Sequence, residues 1–230
     1  MMELRENLCS VREQICRAAL DAGRDPKEIT LIAVSKTRPA AMVEEAIACG
    51  VKDFGENRPQ ELAEKSACFP DVHWHQIGQL QRNKVKHIIE KATLIHSVES
   101  LSLAEEIEKR AAAIAKIQDI LIQVNISGEE SKSGVSPDAA AELCRQISEL
   151  KHIRICGLMT ISVAGMSDEE NFSLFSRLKK LAEEIDSLGL EGVSMKELSM
   201  GMTHDFVPAI RAGATLVRVG TGIFGARDYQ

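Results

Sequence analysis

Aromatic side chains are scarce in this 230-residue chain, which has six Phe, one Tyr and one Trp, 3% of the total. The scarcity argues against an aromatic-rich sandwich core and leaves aliphatic residues and alanine to fill layers of helix packed on strand. Basic excess is also lacking: 28 Lys and Arg against 34 Asp and Glu give a net charge of −6. A general nucleic-acid binder would need a basic footprint to displace counterions, so none is expected. No apolar run is long enough to span a bilayer, and no membrane partner is expected. The start, Met1-Met2-Glu3-Leu4-Arg5-Glu6-Asn7, has neither the basic nor the apolar region of a secretory leader. Cysteines Cys9, Cys16, Cys49, Cys68, Cys144 and Cys156 form no Cys-x-x-Cys pair. Reduced thiols, mostly buried as small hydrophobes in a cytoplasmic protein, are therefore expected.

Linkers rich in Pro, Gly or Ser are missing as well, and the length suits one sizeable core. One domain over 1–230 is expected, with an extra helix near 3–22 ahead of the first strand. Hydrophobic residues at 44% and charged residues at 27% are those of a globular protein. Short apolar runs at 30–35, 52–55, 73–77, 94–97, 120–125, 153–160, 196–200 and 216–220 read as strands. Amphipathic segments at 39–49, 100–116, 138–150 and 168–188 read as helices. The last of these opens on Ser167 with Glu170 three residues on, a capping box, and stops at Gly189. Eight strands alternating with helices predict an α/β single-domain (β/α)8 TIM barrel in preference to an open doubly wound sheet.

In such a barrel, ligands sit at the carboxyl ends of the strands, with phosphate often held after strands seven and eight. Three segments fit that map. Lys36 ends the first strand on the face of Ile32 and Val34, so its amine is expected over an apolar interior. Desolvation there favours the neutral amine that attacks an aldehyde. After strand seven, Ser199 offers a hydroxyl and Gly201 a close backbone approach, with a helix starting near His204-Asp205. After strand eight, Gly220-Thr221-Gly222 offers consecutive backbone donors, and Arg218 points inward, where an arginine needs a ligand or a carboxylate. Together these suggest a phosphate on the last two segments and an aldehyde on the first.

Several motifs lie in order along the chain: Ala33-Val34-Ser35-Lys36-Thr37, Phe54-Gly55-Glu56-Asn57, His73-Trp74-His75-Gln76-Ile77-Gly78, Ser131-Lys132-Ser133-Gly134, Gly157-Leu158-Met159-Thr160, Leu198-Ser199-Met200-Gly201-Met202 and Val217-Arg218-Val219-Gly220-Thr221. With these, the chain resembles the pyridoxal phosphate homeostasis family, related to the fold type III barrel of alanine racemase but without its C-terminal β domain. The resemblance implies pyridoxal 5′-phosphate (PLP) held as a Schiff base on Lys36, with phosphate contacts from Ser199, Gly201, Gly220 and Thr221. It implies a contact from Arg218 to the pyridine nitrogen, and Asn57 and Met159 as pocket wall.

An arginine donates to that nitrogen and takes no proton from it, which weakens the ring as an electron sink and disfavours transamination. A two-base racemase also needs a second proton carrier, a tyrosine from the second domain in alanine racemase. The only tyrosine here is Tyr229, beside the final residue. The reading is therefore a PLP carrier in vitamin B6 homeostasis and not an enzyme, with an amino-acid racemase as the competing reading. Apo-enzymes that use PLP are expected acceptors, and a monomer is expected. Lys132, beyond strand five on the same face as Lys36, is a candidate second PLP site, against the simpler reading of a solvated loop lysine.

His73 and His75 alternate onto one face of strand three, with His96 on strand four. No cysteine or carboxylate spacing completes a ligand set, so no metal is expected. Met159, Met195, Met200 and Met202 read as core or pocket wall, and His204-Asp205 as a helix cap.

Overall fold

A computed structural model describes residues 2–129 and 132–226. Eight parallel strands close into a barrel in sequence order: β1 (Thr30–Val34), β2 (Asp53–Glu56), β3 (His73–Gln76), β4 (Ala92–Val98), β5 (Gln118–Gln123), β6 (Ile153–Met159), β7 (Val193–Met202) and β8 (Leu216–Val219). Closure is made by β1 against β8, with Thr30 opposite Leu216 and Ile32 opposite Arg218. Helix α1 (Met2–Asp21) precedes the barrel. Around the strands lie α2 (Ala40–Ala48), α3 (Pro59–Cys68), α4 (Val85–Ile88), α5 (Leu101–Ala112), α6 (Pro137–Ser148), α7 (Asp168–Asp186), α8 (Phe206–Arg211) and α9 (Thr221–Phe224).

The aliphatic composition is spent in two places. Between strands and helices lies the main core, which includes Phe54, Trp74, Ile107, Phe175 and Leu178. Inside the barrel is a small separate plug of Ile32, Leu94, Leu121, Met159 and Leu216. Inward and outward residues alternate along each strand, so both sets come from the same short runs. At Gly157 on β6 only glycine fits, since a Cβ there would lie 1.8 Å from the Glu197 carbonyl oxygen of β7.

The capping box of α7 is formed: the Ser167 hydroxyl accepts from the Glu170 N–H, and the Glu170 carboxylate accepts from the Ser167 N–H. Ser100 caps α5 through the Leu103 N–H. Strand β7 is longer than 196–200, because its ladder to β6 already starts at Val193. Helices α3 and α4 are not among the segments read from the sequence. The short α4 has one turn only, and α3 carries Gln60, Glu61, Glu64 and Lys65 among few apolar residues, so neither makes a strong periodic signal.

The expectation of mostly buried thiols is wrong. All six cysteines are free, but Cys9, Cys16 and Cys68 are exposed, Cys49 and Cys156 half-buried, and only Cys144 buried. Burial pushes the Cys144 thiol up to about 12. The exposed three lie on α1, whose inward face is filled by Leu4, Leu8, Val11 and Ile15, and at the last residue of α3, whose buried face is Pro59, Leu62, Lys65 and Ser66. Ser131 and Tyr229 lie outside the described residues.

Candidate functional site

The barrel's carboxyl end opens into a cleft of about 470 Å³, within the range of small-molecule sites. Strand β1 delivers Lys36 to it, one residue past the buried Ser35. The turn carrying the amine is held from below. Lys65 of α3 donates to the Ser35 carbonyl (2.7 Å) and to Glu56 Oε1 (2.8 Å), and the Ser35 hydroxyl donates to the same oxygen (2.6 Å). Glu61 accepts from the Thr37 N–H at 3.1 Å, fixing a threonine whose φ is +63°. A β-branched residue is strained there and persists only when its neighbours hold it.

Glu56 is fully buried. Desolvation, then the neighbouring Glu61 carboxylate, raises it from 4.5 to about 7, with Lys65 and Ser35 pulling the other way. A carboxyl raised by folding binds its proton more tightly in the folded state. Its contribution is therefore full below about pH 4.5 and is lost as pH rises toward 7, on the order of 3 kcal/mol. His96, held well below 6.5 by desolvation and then by His75 and Arg218, gives the opposite slope as pH falls. Comparison with Glu56→Gln separates the two. In urea titrations at a series of pH values, Glu56→Gln should gain on the wild type between pH 4.5 and 7; a constant difference would contradict this.

Lys36, Asn57, Arg218, Gly220 and Thr221 all line the cleft, and so does Lys132. Met159, Ser199 and Gly201 are not on its wall. Met159 belongs to the inner plug, and Ser199 is fully buried. Gly201 faces α8, where a Cβ would lie 2.6 Å from Ala209 Cβ, so its bare backbone seats that helix. Thr203, which sequence reasoning passed over between Met202 and His204, lines the cleft and holds Thr221 at 3.2 Å, hydroxyl to hydroxyl. Asp205 sits at the cap position of α8, yet its side chain turns back to accept from the Met202 N–H (2.5 Å) and the Ser162 hydroxyl.

Arg218 is 4% exposed. It donates to Ser199 Oγ (2.5 Å) and to the Thr160 carbonyl (2.9 Å). Among the described residues no carboxylate lies within ion-pair distance of it, so the structural ion-pair reading fails. Burial pulls its pKa down to about 10, opposed by Asp205, which leaves it a cation at neutral pH. A buried cation held by neutral groups, facing a cleft, is suited to an acceptor on a ligand.

The histidines find a carboxylate that sequence spacing concealed. Asp53 Oδ1 lies 2.9 Å from His73 Nδ1 and 3.2 Å from His75 Nε2. His75 Nδ1 meets His96 Nε2 at 3.0 Å, and His96 Nδ1 meets Ser199 Oγ at 2.8 Å. Among the described residues no group of three His, Cys, Asp or Glu is arranged to hold a metal.

An amine, a buried guanidinium and the Gly220–Thr221 turn with Thr203 thus share one cleft. That donor set fits a phosphorylated aldehyde carrying a ring acceptor. The barrel is of the alanine racemase type: the family model described as "Alanine racemase, N-terminal domain" matches residues 14–228. Within that class, the chain belongs to the family of pyridoxal phosphate homeostasis proteins. The protein of that name from Aquifex aeolicus is 43% identical over 99% of this chain and all of its own length. The Escherichia coli K12 protein of the same name is 39% identical over 100% of this chain and 99% of its own. Synechococcus elongatus PipY, solved with PLP bound, superposes with a TM-score of 0.85 at 36% identity, covering 96% of this chain and 100% of PipY. Clostridium difficile alanine racemase shares the fold at 16% identity, a TM-score of 0.75 and 58% of its own length.

Proposed function

We propose that this protein binds PLP through Lys36 and serves intracellular vitamin B6 homeostasis as a carrier, without being a racemase. The observation that carries the proposal is the opening of Lys36 and the buried Arg218 onto one cleft. When bound, PLP supplies an aldehyde that condenses reversibly with an amine and releases water. Lys36 provides that amine from a turn held by Lys65 and Glu61. The Gly220–Thr221 turn and Thr203 orient the phosphate, and Asn57 forms wall. Met159 supports the floor from the inner plug, Ser199 acts by holding Arg218, and Gly201 by seating α8.

Arg218 would offer a donor to the pyridine nitrogen and, being already protonated, could take no proton from it. That would weaken the ring as an electron sink and disfavour transamination, whereas racemisation tolerates an arginine there and is limited instead by the second proton carrier. His204 and Lys132 border the cleft as proton carriers, and they are why the racemase reading needs a direct test. Incubation of the holo-protein with amino acids in deuterated water should show no Cα–H exchange beyond that of free PLP. Rapid exchange would contradict the carrier reading.

The same reading makes apo-enzymes that use PLP the acceptors, and the protein a cytoplasmic monomer. Among the described residues no helix is long and apolar enough to cross a membrane. Lys132, half-buried on the same cleft wall as Lys36, takes up PLP in passing during release. Lys132→Ala should slow transfer to an apo-enzyme while leaving the equilibrium occupancy of Lys36 unchanged; transfer at the wild-type rate would exclude the relay.

A further inference from the structure

A hydrogen-bonded column passes through the barrel beside its apolar plug. It begins with Asp53, the first residue of β2, and runs through His75 of β3, His96 of β4 and Ser199 of β7 to Arg218 of β8. Its links are 3.2, 3.0, 2.8 and 2.5 Å. Asp53 is half-buried and borders a separate opening at the strands' amino ends, whereas Arg218 borders the cleft at their carboxyl ends. His75, His96 and Ser199 between them are buried.

The chemistry of the two ends dictates the hydrogens in the middle. A guanidinium only donates and a carboxylate only accepts. With both imidazoles neutral, one assignment satisfies every link. Arg218 donates to Ser199, and the Ser199 hydroxyl donates to His96 Nδ1. His96 then carries its proton on Nε2 and donates to His75 Nδ1, and His75 donates from Nε2 to Asp53. Burial of His96 between His75 and Arg218 keeps it neutral, as this order requires.

We infer that Asp53, His75 and His96 are positioning residues for the cofactor site, setting from the far face of the barrel the proton order that orients Ser199 and Arg218. The inference rests on the PLP reading of the cleft. Solvent reaches Asp53 without passing the cofactor, so the amino-end face is a second place from which PLP release is adjusted. The charged and titratable groups around that end are His73, which shares the Asp53 oxygen, Asp119, Arg154, Cys156, Lys196 and Glu197, and on the other side of Asp53 Arg12 and Lys52. Arg154 and Asp119 are already paired through two contacts of 2.7 Å. At the mouth, Asp205 is the acidic group acting on Arg218.

The test combines a measurement on the apo-protein with one on the holo-protein. Nitrogen-15 NMR of histidine-labelled apo wild type at neutral pH should show His75 and His96 both protonated on Nε2. Either ring protonated on Nδ1 alone would overturn the inference, and this readout needs neither a variant nor PLP. In Asp53→Ala the two rings should become tautomeric mixtures, and PLP should leave the holo-protein about five times faster, the factor for losing one ordinary hydrogen bond. Release at the wild-type rate with wild-type tautomers would overturn it. Failure of the wild type to bind PLP would instead remove the proposed function, with the tautomer result still standing as a test of the column.

Discussion

Replacing Lys36 with alanine should yield a folded protein that has lost the absorption band of an imine-bound PLP and binds the cofactor about 100-fold more weakly, some 3 kcal/mol. The fold survives because the turn at Lys36 is held by its neighbours' backbone. Lys65 bonds the Ser35 carbonyl and Glu61 bonds the Thr37 N–H, and neither contact involves the Lys36 side chain. Apo-protein stability should therefore stay within about 1 kcal/mol of wild type. What remains of the affinity comes from the donors after β7 and β8, which still take the phosphate. Absorption titration together with equilibrium dialysis reads both quantities. Retention of the imine band in Lys36→Ala would move the aldehyde to another lysine, with Lys132 the first to check.

Arg218→Leu should separate binding from stability. Binding should weaken about tenfold, through loss of a charged donor to the pyridine nitrogen. The apo-protein should stay within about 1 kcal/mol of wild type, since relief of a buried charge offsets two lost hydrogen bonds. Those bonds go to Ser199, which retains His96, and to the Thr160 carbonyl, which is left unsatisfied. Urea unfolding of the apo-protein and PLP titration measure the two effects independently. A severe loss of stability with unchanged affinity would make Arg218 a structural residue and remove it from the site. Arg218→Lys keeps the charge but not the fork that reaches two acceptors while facing the cleft, so it should restore little of the affinity.

The barrel was legible because its signals are local. Eight short apolar runs, a capping box at Ser167 and stops at glycine each occupy a few consecutive residues. Asn57 came only from the family resemblance, whereas Lys36, Arg218, Gly220 and Thr221 were legible for a related reason. Each lies near or just past the carboxyl end of a strand, and the barrel brings those ends to one mouth. The buried network was not. Asp53, His75, His96 and Ser199 come from four strands, and only closure with a particular stagger puts their side chains in line. The Glu56–Lys65 pair stayed hidden because α3 was not recognised as a helix, so nothing pointed Lys65 back at β2. Gly201 was read as a place for a ligand's close approach; the structure adds a second reason for glycine there, since a Cβ would run into α8.

The central claim is that Lys36 carries PLP, and reduction tests it most directly. The purified protein, loaded with PLP, is treated with borohydride, digested, and its peptides weighed by mass spectrometry. The account predicts a pyridoxyl adduct on the peptide containing Lys36, with the Lys132 peptide modified in at most a minor fraction. An unmodified Lys36 peptide beside an adduct elsewhere, or no adduct at all, would contradict it.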